Sequence, residues 1–253
     1  MLVKNNRRTK AVKTSLRTLM ITAPALMLLF SFAIPSNTTP AGELSSAEHR
    51  DSLVAPLLAA DPVTKFPHMD ELSDQLKDLS PKALEMALSG YQYYLENGII
   101  AATSLLAIAD MSVSSDRERL YIIDPNKGLL LYHTFVAHGR NSGDRYATRF
   151  SNKPSSLQSS MGFFKTGTVY QGKHGNSLRL IGLEKGLNDK ANERGIVIHG
   201  ADYVSKEIAR SRGMIGRSWG CPAVPSAISN EIIETLRNDQ CLFIYHPSYQ
   251  PAN

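Results

Sequence analysis

Cysteine is nearly absent from this chain. Its 253 residues hold two, Cys221 and Cys241, and they form no C-x-x-C pair; no H-x-x-x-H pair accompanies them. A structural zinc site would have to gather ligands scattered through the fold, and any disulfide framework is limited to a single bridge. Internal repeats and low-complexity tracts are also missing, which excludes a repeat architecture. Acidic residues are missing from the first 40 positions, where Lys4, Arg7, Arg8, Lys10, Lys13 and Arg17 stand without a counter-charge. Those six account for the net charge of +5, because setting them aside leaves 22 basic residues against 23 acidic ones, a net of −1. The charge therefore does not describe a nucleic-acid surface.

What is present begins with that basic run. Behind it lies an uncharged apolar stretch from Leu19 to Pro35, broken by Pro24, and then the small polar run SNTTPAGELSS. Together they read as an export signal over residues 1–41, either a peptide cleaved near Ala41 or a retained membrane anchor. Export makes a Cys221–Cys241 bridge one reading of the two cysteines. Their settings differ, however: Cys241 opens the apolar run CLFIY, typical of a buried strand, whereas Cys221 sits among Gly, Ser, Trp and Pro.

Residues 42–98 read as a linker and a helical segment. Polar sequence reaches about Lys65, followed by helical spacing over Met69–Leu79 and Lys82–Leu95, with Ser80-Pro81 as a start signal and Gly98 as a stop. Residues 99–253 read as one domain of short strands: SLLAIAD, RLYIID, LLLYHTFVA, MGFFK, LRLIG, GIVIHG and CLFIY. DPNKG between the second and third is a hairpin loop, with Pro125 presetting the turn and Gly128 supplying positive φ. One clear helix is expected, from Ser226 as N-cap to Leu236, with Ile228, Ile232, Ile233 and Leu236 on its apolar face. The expected class is α+β, mainly β, with a small N-terminal helical segment.

Chemistry concentrates between Gly195 and Val224. A strand ends at His199-Gly200, and Ser218-Trp219-Gly220-Cys221-Pro222 leads toward the helix start. A thiol placed before a helix N-terminus, with Arg217 nearby, is expected to ionise below the ordinary cysteine value of about 8.5. Gly220 permits close backbone approach, so that N–H groups near Cys221 can meet an oxyanion. His199 is the candidate base. The ordinary alternative for each histidine is a structural hydrogen bond, and for His138, Ser142, Tyr170, His174 and Ser177 it is plain turn chemistry.

The segment GRSWGCPAV resembles the catalytic signature of L,D-transpeptidases of the YkuD type, in which a histidine after a strand precedes a Ser-x-Gly-Cys element. The resemblance extends through VAHGRNSG (136–143), RFSNKPSS (149–156), GTVYQGKHGNSLRLIGLE (167–184) and LNDKANERGIVIHGADYV (187–204), covering roughly Ile99–Tyr245. It implies a β-sandwich or barrel-like catalytic domain, with Cys221 as acylated nucleophile, His199 as base, Gly220 in the oxyanion loop, and Arg217, Ser218, Trp219, Tyr170 and His174 at the substrate. It also implies peptidoglycan stem peptides as substrate, a periplasmic location facing the wall, thioester chemistry forming 3-3 cross-links or, with water as acceptor, carboxypeptidase action, and no metal or organic cofactor.

Two positions depart from the commoner family pattern. Trp219 replaces a second histidine before Gly-Cys, and Ala223 replaces an arginine, so that Arg217, Arg179 or Lys173 would have to meet a substrate carboxylate. Two rival readings remain. A papain-like endopeptidase would need His246 as partner, and a non-catalytic wall-binding protein would hold a Cys221–Cys241 disulfide.

Overall fold

The computed structural model describes Phe66 and residues 68–251; the segment read as signal or anchor, and the linker to Lys65, lie outside the described residues. The continuous apolar runs become strands covered on both faces. β1 (Leu106–Asp110), β2 (Leu120–Asp124), β6 (Val197–Ala201) and β8 (Cys241–Tyr245) are buried at every residue, the pattern of strands packed on both sides. β3 (Leu129–Thr134) leaves Leu129 and Leu131 exposed. β4 (Gly162–Gly172) and β5 (Gly175–Gly182) form a long hairpin, and β7 (Ala223–Pro225) has three residues.

All eight strands belong to one sheet, in the order β3-β2-β1-β8-β4-β5-β6-β7. Neighbours are antiparallel except at β1–β8 and β6–β7. Beyond β3 the chain returns to the far edge, where Ala137 bridges Ala223 of β7 and Gly139 bridges Ser218. The two edges are thereby drawn together, so the sheet is barrel-like rather than a pair of stacked layers.

Alternation along the strands sorts the core into two faces. Leu106, Ile108, Phe163, Cys241 and Phe243 pack under α1 (Pro81–Glu96). Ala107, Phe164, Leu242 and Ile244 pack with Ile232, Ile233 and Leu236 of α3 (Ser229–Leu236). α1 starts with proline in its first turn, where the missing N–H costs nothing. The N–H of Ser80 donates to Asp110 Oδ2 at 3.0 Å, fastening the helix start to the end of β1. At Gly90 a Cβ would collide with the Phe163 ring, so glycine lets that ring lie against the helix.

Two local expectations change, and one helix is added. Met69–Leu79 is not a helix: a 3-10 turn over Met69–Leu72 and further turns bury Leu72, Leu76 and Leu79 without one. The helix expected from Ser226 starts at Ser229 after a 3-10 turn, because the Ser226 hydroxyl donates to Asp202 Oδ1 at 2.6 Å instead of capping. The added helix is α2 (Lys206–Arg212), whose N-cap Ser205 accepts from Ile208 N–H and whose end Gly213 closes at φ 67°. Among the described residues no helix is long and apolar enough to cross a membrane.

Candidate active site

Strand register builds one side of the site. Tyr170 of β4 pairs with Ser177 of β5, Ser177 with His199 of β6, and His199 with Ala223 of β7, two residues after Cys221. The β4–β5 turn brings His174 against His199, with ring centroids 4.7 Å apart and planes 23° from parallel. These residues line a cavity of about 450 Å³ together with Lys173, Arg194, Tyr203, Arg217, Ser218, Trp219 and Cys221. The cysteine and the histidine read from the sequence therefore open into the same space.

Hydrogen bonds inside the Ser218–Cys221 loop set its shape. The Ser218 hydroxyl accepts from Gly220 N–H at 3.0 Å and donates to the Cys221 carbonyl at 2.6 Å, so it organises the loop. Ser159 donates to the Gly220 carbonyl at 3.1 Å and accepts from Gly139 N–H at 2.9 Å. Gly220 has φ 128°, and a Cβ there would stand 2.8 Å from the Gln158 carbonyl oxygen. Its glycine is required by this conformation and by close contact with the 158 segment, not by space left for a substrate.

The electrostatics differ from the expected ones. Cys221 does not precede a helix: it leads into β7, and α3 begins at Ser229. Burial pushes its thiol up, while the Val197 backbone and the Arg194 guanidinium pull it down less strongly. The sulfur donates to the Gly195 carbonyl at 3.7 Å, and among the described residues no hydrogen bond joins it to His199. Arg194, overlooked in the sequence, is held by the Ser151 carbonyl at 2.6 Å, the Gln158 carbonyl at 2.7 Å and the Ser156 hydroxyl at 3.1 Å, and by the Ser160 hydroxyl. Arg217 instead pairs with Asp144 and donates to the Gly143 carbonyl at 3.0 Å. The arginine that acts on the sulfur is thus the one on the loop before β6.

His199 is buried, and its Nδ1 lies 2.8 Å from the Gly200 carbonyl oxygen. A carbonyl only accepts, so Nδ1 carries the proton and Nε2 of the neutral ring is left to receive one. Burial holds the imidazole below its usual range; the Gly200 carbonyl opposes this and His174 adds to it.

The remaining candidates divide. Tyr170, Lys173, His174 and Ser177 line the cavity. Arg179 lies over the Tyr170 ring, 4.4 Å from its centroid. His138 and Ser142 are fully buried away from it. His138 Nδ1 accepts from Arg119 at 2.8 Å, while its backbone carbonyl accepts from Ser218 N–H at 3.0 Å. His246 lies against Phe150, with ring planes tilted by 46°, and pairs with Ser248, outside the cavity, which leaves the papain-like reading without its base. Both cysteines are free, and Cys241 belongs to the core under α1 while Cys221 packs on the α3 side, so the disulfide reading is corrected.

A family model described as "L,D-transpeptidase catalytic domain" matches residues 75–245. The match takes in α1, which the sequence resemblance did not reach. Among solved structures, an L,D-transpeptidase from Mycobacterium smegmatis is similar at 13% identity and TM-score 0.35, covering 56% of this chain and 59% of that one. An L,D-transpeptidase from Xylanimonas cellulosilytica is similar at 14% identity and TM-score 0.33, with 62% and 69% covered. The helical cell shape determining protein of Campylobacter jejuni is similar at 13% and 0.37, with 59% and 50% covered. The chain thus spans about three-fifths of the length of the first of these. No curated protein sequence matches.

Proposed function

This chain belongs to the L,D-transpeptidase catalytic-domain family, and from that premise we propose that it is a peptidoglycan L,D-transpeptidase working through a thioester on Cys221. The observation that carries the reading is the shared cavity of Cys221 and His199, with Nδ1 of the histidine engaged by its own chain and Nε2 left as base.

The raised thiol and lowered imidazole favour a neutral pair over a standing thiolate. Proton transfer then accompanies attack. His199 Nε2 takes the sulfur's proton as sulfur bonds to the carbonyl carbon preceding the terminal D-alanine of a tetrapeptide stem. Gly220 N–H is engaged by Ser218, so the oxyanion role falls to the N–H of Cys221 itself. Collapse breaks the C–N bond, the imidazolium protonates the departing amine of D-alanine, and a thioester remains. A side-chain amine of a neighbouring diaminopimelate attacks that thioester, its proton passes to His199, and the thiol is restored with a 3-3 cross-link formed. Water in place of the amine gives the tripeptide of an L,D-carboxypeptidase. The basic and apolar N-terminal sequence supports action outside the cytoplasm, facing the wall, with the segment either removed or kept as an anchor.

The test is incubation with disaccharide tetrapeptide and weighing of the products. Dimers are the expected result; tripeptides alone would assign hydrolysis. Neither product, with Cys221→Ala indistinguishable from wild type, overturns the enzymatic reading.

A further inference from the structure

A second cavity, of about 380 Å³, lies across Trp219 and Arg217 from the first, and both residues line the two spaces. Its other walls are Arg140 and Arg212, with Met214 and the buried Ile215 as apolar surface. Three arginines thus line one space, with the Arg140 carbonyl accepting from Arg217 at 3.3 Å. Arg217 is paired with Asp144 and Arg194 is held by loop oxygens, but among the described residues the side chains of Arg140 and Arg212 have neither ion pair nor hydrogen bond. Arg212 ends α2, where a cation suits the helix C-terminus. That accounts for one charge and not for its convergence with Arg140, carried on the separate loop that follows the Ala137 bridge. Unpaired cations of planar fork geometry, an apolar floor and an indole 73% exposed suit an organic carboxylate rather than a bare inorganic anion.

We propose that the Arg140–Arg212 cavity is the binding site for the peptide that supplies the attacking amine, gripping the carboxylate borne on the same carbon as that amine. This rests on the reading of Cys221 as acyl carrier and adds the place of the second substrate. Transfer requires two peptides near one sulfur, and the shared wall of Trp219 and Arg217 sets the second cavity next to the first. Holding that carboxylate orients the amine over the wall toward the thioester and favours it over water.

Two measurements test it. Trp219 is the only tryptophan in the sequence, so its fluorescence reports on both cavities, while Arg140 and Arg212 line only the second. Titration with the disaccharide tripeptide, free at the diaminopimelate carboxylate beside the side-chain amine, is expected to give a saturable change. Amidating that carboxylate, or substituting Arg140→Gln or Arg212→Gln, should weaken binding at least tenfold. Equal binding of acid and amide, or of wild type and both variants, overturns the proposal, as does inorganic phosphate binding as tightly with the same arginine dependence. The second measurement weighs dimer against tripeptide product from tetrapeptide donor plus that acceptor. Both variants should lower the ratio at least tenfold while thioester formation, read by intact mass, stays within twofold. An unchanged ratio defeats the second site alone; absence of any thioester in wild type defeats the acyl-carrier reading, and the titration still decides whether the carboxylate binds.

Discussion

Nδ1 of His199 donates to the carbonyl oxygen of Gly200 at 2.8 Å, a bond between adjacent residues that fixes the tautomer of the imidazole. Replacing the histidine by Gln keeps a donor but removes the basic nitrogen. His199→Gln is expected to slow acylation of Cys221 by 100-fold or more, the usual reach of a positioned base, as read by intact mass after mixing with substrate. Because burial lowers the imidazole pKa, the neutral base persists below the ordinary histidine value of about 6.5, and the acid limb of the wild-type profile should lie on the acidic side of it. A limb above that value would contradict the assignment.

Arg194 is the charge that offsets burial of the Cys221 sulfur. Arg194→Gln should raise the thiol pKa further and so slow alkylation by iodoacetamide at pH 8, where each tenfold loss of thiolate slows the reaction about tenfold. Arg217→Gln, which removes a partner of Asp144, should leave the alkylation midpoint nearly unchanged. Stopped-flow alkylation against pH separates the two.

Cys241 is fully buried and burial drives its thiol well above the ordinary range. Thiol titration of the native, unreduced protein should count one reactive group, and titration in guanidinium chloride two. A count of zero in guanidinium chloride as well would restore the disulfide excluded by placement of the two cysteines on different core faces.

At Gly220 both backbone and space oppose a side chain. Gly220→Ala is expected to cost about 1–3 kcal/mol, visible as a lower Cm in urea. Thiol reactivity should change with it, since the carbonyl of this residue is fixed by Ser159.

His138 is held near a pKa of about 4 by burial and then by the Arg119 guanidinium. An unfolded chain protonates this imidazole near 6.5, so stability conferred by its neutral form is complete above 6.5, declines as pH falls and is fully lost below about 4. The window corresponds to roughly 3 kcal/mol. His138→Gln, whose side-chain oxygen can accept from Arg119, should flatten urea stability between pH 6.5 and 4.5; an unaltered slope would place the loss elsewhere.

Periodicity and composition revealed most of the sheet. LAIAD, LYIID and CLFIY are continuous apolar runs, and each is a strand covered on both faces. The cavity pair was also legible, because Cys221 and His199 lie in one short span whose glycines and turn residues mark a special backbone. Long-range charge was not. Sequence proximity singles out Arg217 and passes over Arg194, and only the fold reveals that Arg194 is held by the 151–160 loop beside the sulfur while Arg217 is held by Asp144. β7 was too short for a pattern to announce it, so the residues after Cys221 read as the approach to a helix. Likewise Leu72, Leu76 and Leu79 follow helical spacing, yet turns bury them equally well.

β8, the last strand among the described residues, is the only strand that joins β3-β2-β1 to β4-β5-β6-β7. Until Cys241–Tyr245 has been synthesised and inserted, β1 and β4 are both open edges, and a chain stopped short of it would present two sticky half-sheets instead of one closed wall. The half-sheet that carries the cavity thus keeps an unpaired edge until this late segment arrives, and premature termination is expected to lead to aggregation rather than to a smaller folded domain.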